Sequence, residues 1–289
     1  MLLNRLLERR ERYRQALPQP LYRVARAGWK VGIKPALKIV TVLLEKSKGF
    51  DFPKDDAGWD GDWKLYMLLG LYERDTVALC ARVIRPGMTV LDIGAHIGYF
   101  TRLFASMVGM GGKVYAFEPH PENFLLLKSN TSRFSNVVLM DKGASDVNDS
   151  GCLFICNSKG YEESGRYSLF RQPDSIADAS LTEIKLIALD TFWEELGRPR
   201  IDLIKMDIEG AEPKALKGAE QLIRHHKRII LVTEFHPANL RSGGTDPEEF
   251  LDFVSSLGFR WAVIGKGGNL VSELPRNGDS YVNLYCEKS

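Results

Sequence analysis

The sequence holds only four cysteines in 289 residues, and none of them forms a CxxC pair. That excludes a disulfide-stapled secreted scaffold and the usual spacing of a structural zinc site. Cys152 and Cys156 stand four apart in an apolar run and read as paired core thiols, so a reducing, cytoplasmic compartment is expected. Long hydrophobic runs are missing as well. The longest, residues 31–44, carries Lys34, Pro35 and Lys38, whereas a bilayer span needs about 20 apolar residues. No apolar core followed by a small-residue cleavage site stands near the start, so no signal peptide is expected. There is no internal repeat and no low-complexity tract. With 44% hydrophobic and 26% charged residues, a disordered or collagen-like chain is excluded, and enough apolar material is present for one large domain.

The net charge of +2 conceals an asymmetry. Residues 1–48 carry 12 Lys and Arg against Glu8, Glu11 and Glu45, while the remaining 241 residues carry 27 basic and 34 acidic groups. Leu2, Leu3, Leu6 and Leu7 share one helical face, ringed by Arg5, Arg9, Arg10 and Arg12, and Leu37, Val40, Thr41 and Leu44 form a second such face. Basic amphipathic helices of this kind lie on anionic membrane surfaces, or cap a subunit or substrate pocket. The arm lacks the aromatic interleaving that reads single strands, so no nucleic-acid partner is expected. The expected division is a basic helical arm over residues 1–57 and a catalytic body over 58–289. Residues 1–48 would supply peripheral contact with the inner face of the membrane, or a homodimer contact.

Along the body, near-continuous apolar runs at 89–93, 113–117, 137–140, 201–206, 229–235 and 281–286 alternate with segments of helical period. This is the signature of parallel strands covered on both faces. Phe100, Leu103, Phe104, Met107 and Val108 trace one helix face. Ala215, Leu216, Ala219, Leu222 and Ile223 trace a second, and Phe250, Phe253, Val254 and Leu257 a third. Asp246 is placed to cap the last helix, Pro247 to open it and Gly258 to stop it. Residues 143–190 break the alternation and read as an irregular insertion with short antiparallel strands near the active face. The body is expected to be an α/β, doubly wound, Rossmann-like sheet.

The first apolar run leads into a glycine-bearing turn, Asp92-Ile93-Gly94-Ala95-His96-Ile97-Gly98-Tyr99, and then into an amphipathic helix. In open α/β sheets, ligands sit at the carboxyl ends of the strands beside this first turn. Glu118 ends the second run 20 residues after Gly98, a spacing that suits a carboxylate holding ribose hydroxyls. A pyrophosphate cradle wants GxGxxG, but this loop reads GxxxG, and Asp92 would repel a diphosphate. S-adenosylmethionine carries an ammonium, a sulfonium and a ribose but no phosphate. It therefore fits better than NAD.

These residues resemble the class I S-adenosylmethionine-dependent methyltransferases and, within them, the FkbM family. The resemblance covers residues 72–236 and rests on the order of residues 90–101 (VLDIGAHIGYFT), 117–123 (FEPHPEN), 143–146 (GASD), 189–192 (LDTF), 201–216 (IDLIKMDIEGAEPKAL) and 234–236 (EFH). It implies a seven-stranded sheet with a reversed last strand, S-adenosylmethionine as methyl donor, and hydroxyls of sugars or polyketides as acceptors. Asp92, Gly94, Ala95, His96, Gly98 and Tyr99 would line the methionine end of the donor. Glu118 would hold the ribose with Pro119 beside it, and Asp141 and Ala144 would lie near the adenine. Position 96 departs from the pattern, being more usually Asn in the family. His, like Asn, is enriched in the left-handed region, so the turn can survive the change.

At the end of the fourth run, period two places Lys205, Asp207 and Glu209 on one side if the strand continues that far. Glu234 and His236 end the next run. An alcohol has to lose its proton during methyl transfer, so a base within reach helps. His236 is the first candidate, because its ordinary pKa lies near neutrality. Asp207 and Glu209 are the alternatives, as base or as acceptor-positioning carboxylates. Asp207 also adjoins the donor. Lys205 and Asp207 could equally form an ion pair, and Asp207, Glu234 and His236 could ligate a divalent metal, which the spacing does not demand. His120 reads as a loop residue near the ribose or at the surface, and His225 and His226 as structural. The expected activity is O-methyl transfer to a small-molecule, glycan or lipid-linked glycan hydroxyl. The alternatives are a nucleic-acid or other N-methyltransferase, or a non-catalytic membrane-associated protein on the same fold.

Overall fold

The computed structural model describes residues 41, 43–53, 62–158, 161–170, 180–275 and 281–288. The expectations for the arm over residues 1–40 lie outside them. The chain divides into two compact units, Met1–Gly49 and Phe50–Ser289. In the second unit Phe50 and Phe52 are buried, and Asp51 and Asn130 exchange backbone and side-chain hydrogen bonds. Among the described residues, no helix is long and apolar enough to cross a membrane.

In chain order the body runs α1 (Asp62–Leu68), α2 (Arg74–Val83), β1 (Thr89–Ile93), α3 (Tyr99–Val108), β2 (Lys113–Phe117), α4 (Pro121–Thr131) and β3 (Val137–Met140). An insertion follows, comprising β4 (Gly143–Ser145), β5 (Ser150–Ser158), β6 (Tyr161–Ser168) and β7 (Ser180–Ala188). The second half is α5 (Leu189–Glu195), β8 (Leu203–Met206), α6 (Glu212–Lys217), α7 (Glu220–His225), β9 (Ile230–Phe235), α8 (Pro237–Ser242), α9 (Pro247–Ser256), β10 (Phe259–Ile264), β11 (Leu270–Val271) and β12 (Val282–Lys288).

The main sheet has the order β11-β10-β12-β9-β8-β1-β2-β3. Strands β3, β2, β1, β8 and β9 are parallel, and β12 enters antiparallel between β9 and β10. This is the implied seven-stranded, doubly wound sheet with one reversed strand, plus the two-residue β11 at the edge. The strands form because both of their faces are covered. Leu91, Ile93, Ile204, Met206 and Leu231 meet α6, α7 and α9, whereas Val90, Leu203 and Val232 meet α2 and α3. Each fully buried Leu, Ile or Phe contributes about 1.5–3 kcal/mol.

Cross-strand register creates the site. Asp92 stands opposite Lys205, Lys205 opposite Val232, and Glu234 opposite Asn283. Side chains alternate along each strand, so Asp92, Lys205, Glu234 and Asn283 form a polar row on the α2–α3 face, at the carboxyl edge of the parallel strands.

Three expectations are corrected. Residues 215–223 are two helices, not one, because the chain turns at Gly218, where any Cβ would overlap the Ser145 carbonyl oxygen of β4. The Asp190 carboxylate then caps α7 by accepting from the backbone N–H groups of Gln221 and Leu222. The insertion is not merely short antiparallel strands. It is a four-stranded sheet, β4-β7-β5-β6, whose β4–β7 pair is parallel and whose β5 and β7 each have nine residues. Cys152 is exposed, so it is no core thiol, and Cys156 lies outside the described side chains.

Candidate active site

The turn after β1 is defined by backbone. Gly94 (φ 81°), His96 (φ 51°) and Gly98 (φ 92°) all take left-handed conformations. A Cβ on Gly94 would overlap the Asp207 carbonyl oxygen, so glycine is what lets the turn close against the end of β8. The N–H groups of Gly94 and Ala95 both donate to the Phe117 carbonyl. The N–H of His96 donates to Glu118 Oε2 (2.8 Å) and that of His120 to Oε1 (2.9 Å), so Glu118 ties the β1 and β2 turns together. Burial pushes the Glu118 carboxyl up to about 7, against the pull of those two bonds. Burial also lowers the His96 imidazole to about 4, which keeps it neutral, and its Nε2 is buried without a partner. Tyr99 donates its hydroxyl to the Tyr72 carbonyl.

The remaining donor-side residues are less uniform. Asp92 is fully buried; its Oδ2 accepts from the Thr101 hydroxyl (2.6 Å), while Oδ1 has no hydrogen-bond partner among the described residues. His120 is buried rather than at the surface. Pro119 stands beside Gly143 of β4. Ala144 is buried in the core on β4, and Asp141 is exposed after β3, where Lys185 approaches it at 3.4 Å.

The second half of the cleft is defined by side chains. Strand β8 ends at Met206, short of Glu209, yet Lys205 Nζ and Asp207 Oδ2 form the ion pair at 3.0 Å. Burial alone would depress the Lys205 ammonium, but Asp207, Glu73 and Asp92 outweigh it and hold the pKa above its ordinary value. Glu209 sits on the following turn at φ 54° and accepts from the Asn239 side-chain amide (2.6 Å). The structure assigns the turn-capping role to Glu212, which accepts from the N–H groups of Ile208 and Gly210 (both 2.9 Å). His236 caps α8, its Nδ1 accepting from the Asn239 N–H at 3.4 Å, and its ring stacks on Tyr281 at 5.7 Å. Glu234 Oε2 is buried without a hydrogen-bond partner among the described residues. Burial, followed by Asp207 and Glu209, raises its carboxyl well above the usual range. His226 is structural: its Nε2 accepts from the Ile201 N–H, leaving Nδ1 to donate to the Leu222 carbonyl.

Tyr72 and Glu73 complete the wall, and the sequence offered no signal for them. The Tyr72 phenol is raised by burial and then by Glu73 and Asp207. Glu73 is pushed up to about 7 by burial, with Lys205 pulling it back and Asp207 adding to the rise. Its partner Asn283 is 210 positions away, and no spacing rule links the two. Glu212 lay inside the DIEGAE stretch, and the left-handed turn at Glu209 and Gly210 is the feature that requires it.

S-adenosylmethionine fits this cleft. Carboxyl groups of Asp92, Asp207 and Glu73 crowd around the Lys205 ammonium, with Glu209 and Glu234 beside them, and a cluster so rich in oxygen acceptors suits a sulfonium and an ammonium, whose positive charge favours the ionised carboxylates. Glu118 retains acceptor capacity for ribose hydroxyls. Among the described residues, no group of three or more His, Cys, Asp or Glu is disposed to hold a metal ion.

The same assignment comes from similarity to known proteins. The chain is 25% identical to the 2-O-methyltransferase NoeI of Sinorhizobium fredii, over 69% of this chain and 80% of that one. It is 24% identical to the hexuronic acid methyltransferase AglP of Haloferax volcanii, over 67% and 71% respectively. It is also 30% identical to a segment of the AMB antimetabolite synthetase AmbE of Pseudomonas aeruginosa, over 61% of this chain, which spans only 9% of that much longer protein. The methyltransferase FkbM domain matches residues 92–261, from the buried aspartate of β1 into β10, and the chain belongs to the FkbM family of S-adenosylmethionine-dependent methyltransferases.

Proposed function

We propose that the protein transfers the methyl group of S-adenosylmethionine to a hydroxyl of a sugar, a lipid-linked glycan or a related polyhydroxylated metabolite. The position of Asp207 carries this reading. Its backbone packs on the Gly94 turn while its carboxylate is paired to Lys205 and interacts with Glu234, near Glu209, which Asn239 links to His236. S-adenosylmethionine, when bound, supplies a methyl carbon on a sulfonium whose sulfur leaves as a neutral thioether. The residues of the chain have to align the acceptor oxygen and take its proton.

Lys205, held protonated by its carboxylate neighbours, cannot take that proton. His236, whose Nδ1 accepts the Asn239 N–H at the start of α8, serves in this reading to hold the acceptor rather than to deprotonate it. Asp207 is the base in this reading, oriented by Lys205. Glu209, fixed by Asn239, and His236 hold the hydroxyls of the acceptor. Relatives named as a 2-O-methyltransferase and a hexuronic acid methyltransferase support a sugar-like acceptor. Residues 1–48 hold the protein at an anionic surface where a lipid-linked acceptor would lie. Deleting them should abolish sedimentation with anionic liposomes and leave S-adenosylhomocysteine affinity unchanged.

The direct test incubates the protein with methyl-labelled S-adenosylmethionine and a panel of methyl glycosides. The expected product is an alkali-stable methyl ether. A methyl ester, an N-methyl product, or no product from a protein that binds S-adenosylhomocysteine overturns the reading.

A further inference from the structure

A shallow cavity of about 330 Å³ opens beside the catalytic cluster. Most of its lining is polar, from Glu73, Arg74, Asp75, Thr76 and Asn283, with Leu71 and Ile264 adding a little apolar surface. Glu73 lines the cavity and interacts with Lys205 and Asp207 of the cluster, and its conformation calls for a reason. It sits at φ 42°, ψ 39°, a region that residues other than glycine rarely adopt. It occupies the N-cap position of α2 but makes no side-chain capping bond there. Instead, the Asn283 amide donates to Glu73 Oε2 (2.9 Å) and to Thr76 Oγ1 (3.0 Å), which pins the carboxylate between the cavity and the Lys205–Asp207 pair. Across the β9–β12 ladder Asn283 stands opposite Glu234, whose Oε2 is buried and unpartnered on the same face of the sheet. The strain at Glu73 therefore serves a side chain placed for something other than the helix end.

We infer that the cavity is an acceptor subsite that takes the sugar ring adjacent to the one methylated, with Glu73 as the wall shared between the two rings. The inference rests on the reading of the protein as a sugar O-methyltransferase. Its volume lies at the lower end of small-molecule sites and suits a single ring. The lining matches a pyranose. Carboxylate, amide and guanidinium groups are planar hydrogen-bonding partners for ring hydroxyls, and the lining is mostly polar, with only a little apolar surface from Leu71 and Ile264. The preferred acceptor is therefore a glycoside of two or more rings.

The test compares methyl glycosides of glucose, galactose, mannose, rhamnose and fucose with the corresponding disaccharide glycosides. It uses the native protein and the variants Ile264→Trp and Leu71→Trp, each of which fills the cavity from an apolar side. In the native protein, KM for the best two-ring acceptor should be lower than for its one-ring counterpart by about tenfold, or 1.4 kcal/mol. In either variant that ratio should fall to about twofold, and calorimetric titration with S-adenosylhomocysteine identifies which variants are folded. Glu73→Gln, which can still accept from Asn283, should give an intermediate ratio. Equal KM values in the native protein, or an undiminished ratio in a folded Trp variant, overturn the subsite and leave the O-methyltransferase reading standing. If no glycoside is methylated while S-adenosylhomocysteine binds, that reading fails and the subsite with it.

Discussion

On the β1–β2 side of the cleft the turns are tied by backbone: Glu118 takes two main-chain N–H groups, and Gly94 and Ala95 share one carbonyl, while Asp92 relies on the Thr101 hydroxyl. On the β8–β9 side the groups nearest Lys205 are settled mainly by side chains, Lys205 with Asp207 and Glu209 with Asn239, although Glu212 takes two main-chain N–H groups, and Glu234 Oε2 has no hydrogen-bond partner among the described residues. Backbone geometry tolerates little change in side-chain chemistry, which suits an invariant donor. Side-chain geometry is adjustable, which suits an acceptor that differs between related enzymes. The contrast makes different predictions for the two sides: donor-side lesions should act on folding and donor binding, and acceptor-side lesions on turnover.

The largest effect should come from Gly94→Ala. Its Cβ would meet the Asp207 carbonyl at a backbone angle that L residues rarely adopt, and strain and overpacking together cost on the order of 3 kcal/mol. Denaturant unfolding should show that loss, and calorimetry should show S-adenosylhomocysteine binding lost with it. A stable Gly94→Ala protein with intact donor affinity would break the contrast. Next is Asp207→Asn, which keeps an acceptor for Lys205 but removes the base. Turnover should fall about 10²–10⁴-fold. S-adenosylhomocysteine affinity should move far less, and an equal loss in both would return Asp207 to the donor side.

The contrast also explains what could be read from the sequence. Strands β1, β2 and β3 begin and end where their apolar runs do, because glycine, proline or polar turn residues bound each run, even though Lys113 of β2 is exposed and β3 is only half-buried. The glycine turn was legible for a related reason, since left-handed backbone leaves a residue signature at Gly94 and Gly98. The acceptor side was only half legible. Asp207 and Glu234 stood at strand ends, but Glu73 and Asn283 meet across 210 residues, and no local pattern records such a pairing. Gly218 was read as part of a helix because its neighbours kept the helical period; the β4 carbonyl that forbids a Cβ there is a tertiary fact.

A smaller effect separates the two sides by pH. Burial raises Glu118 from 4.5 to about 7, so the folded protein binds a proton that the unfolded chain releases. The stability this supplies is complete below pH 4.5 and is lost as pH rises through 7. Ribose hydroxyls favour the ionised form, so donor affinity should move the opposite way. S-adenosylhomocysteine should bind about tenfold more tightly at pH 8 than at pH 6, a factor equal to one pKa unit of linkage. Glu118→Gln should flatten that profile, and an unchanged profile would assign the dependence to the acceptor-side carboxylates.

The smallest effect expected is at His236, and it discriminates most sharply between roles. As a base, His236 would be indispensable, and Asn in its place would lower kcat by about 10²–10⁴-fold. As an N-cap and hydrogen-bond donor it is replaceable, because Asn caps helices well and carries an N–H of its own. His236→Asn should therefore leave stability within about 0.5 kcal/mol. It should raise the acceptor KM by about threefold through loss of the Tyr281 stack and a shifted donor, an effect below 1 kcal/mol. The pH dependence of kcat should be unchanged, since the group that titrates in turnover would be elsewhere. If the acidic limb of that profile disappears in the variant, His236 is the base after all, and Asp207 orients the acceptor instead.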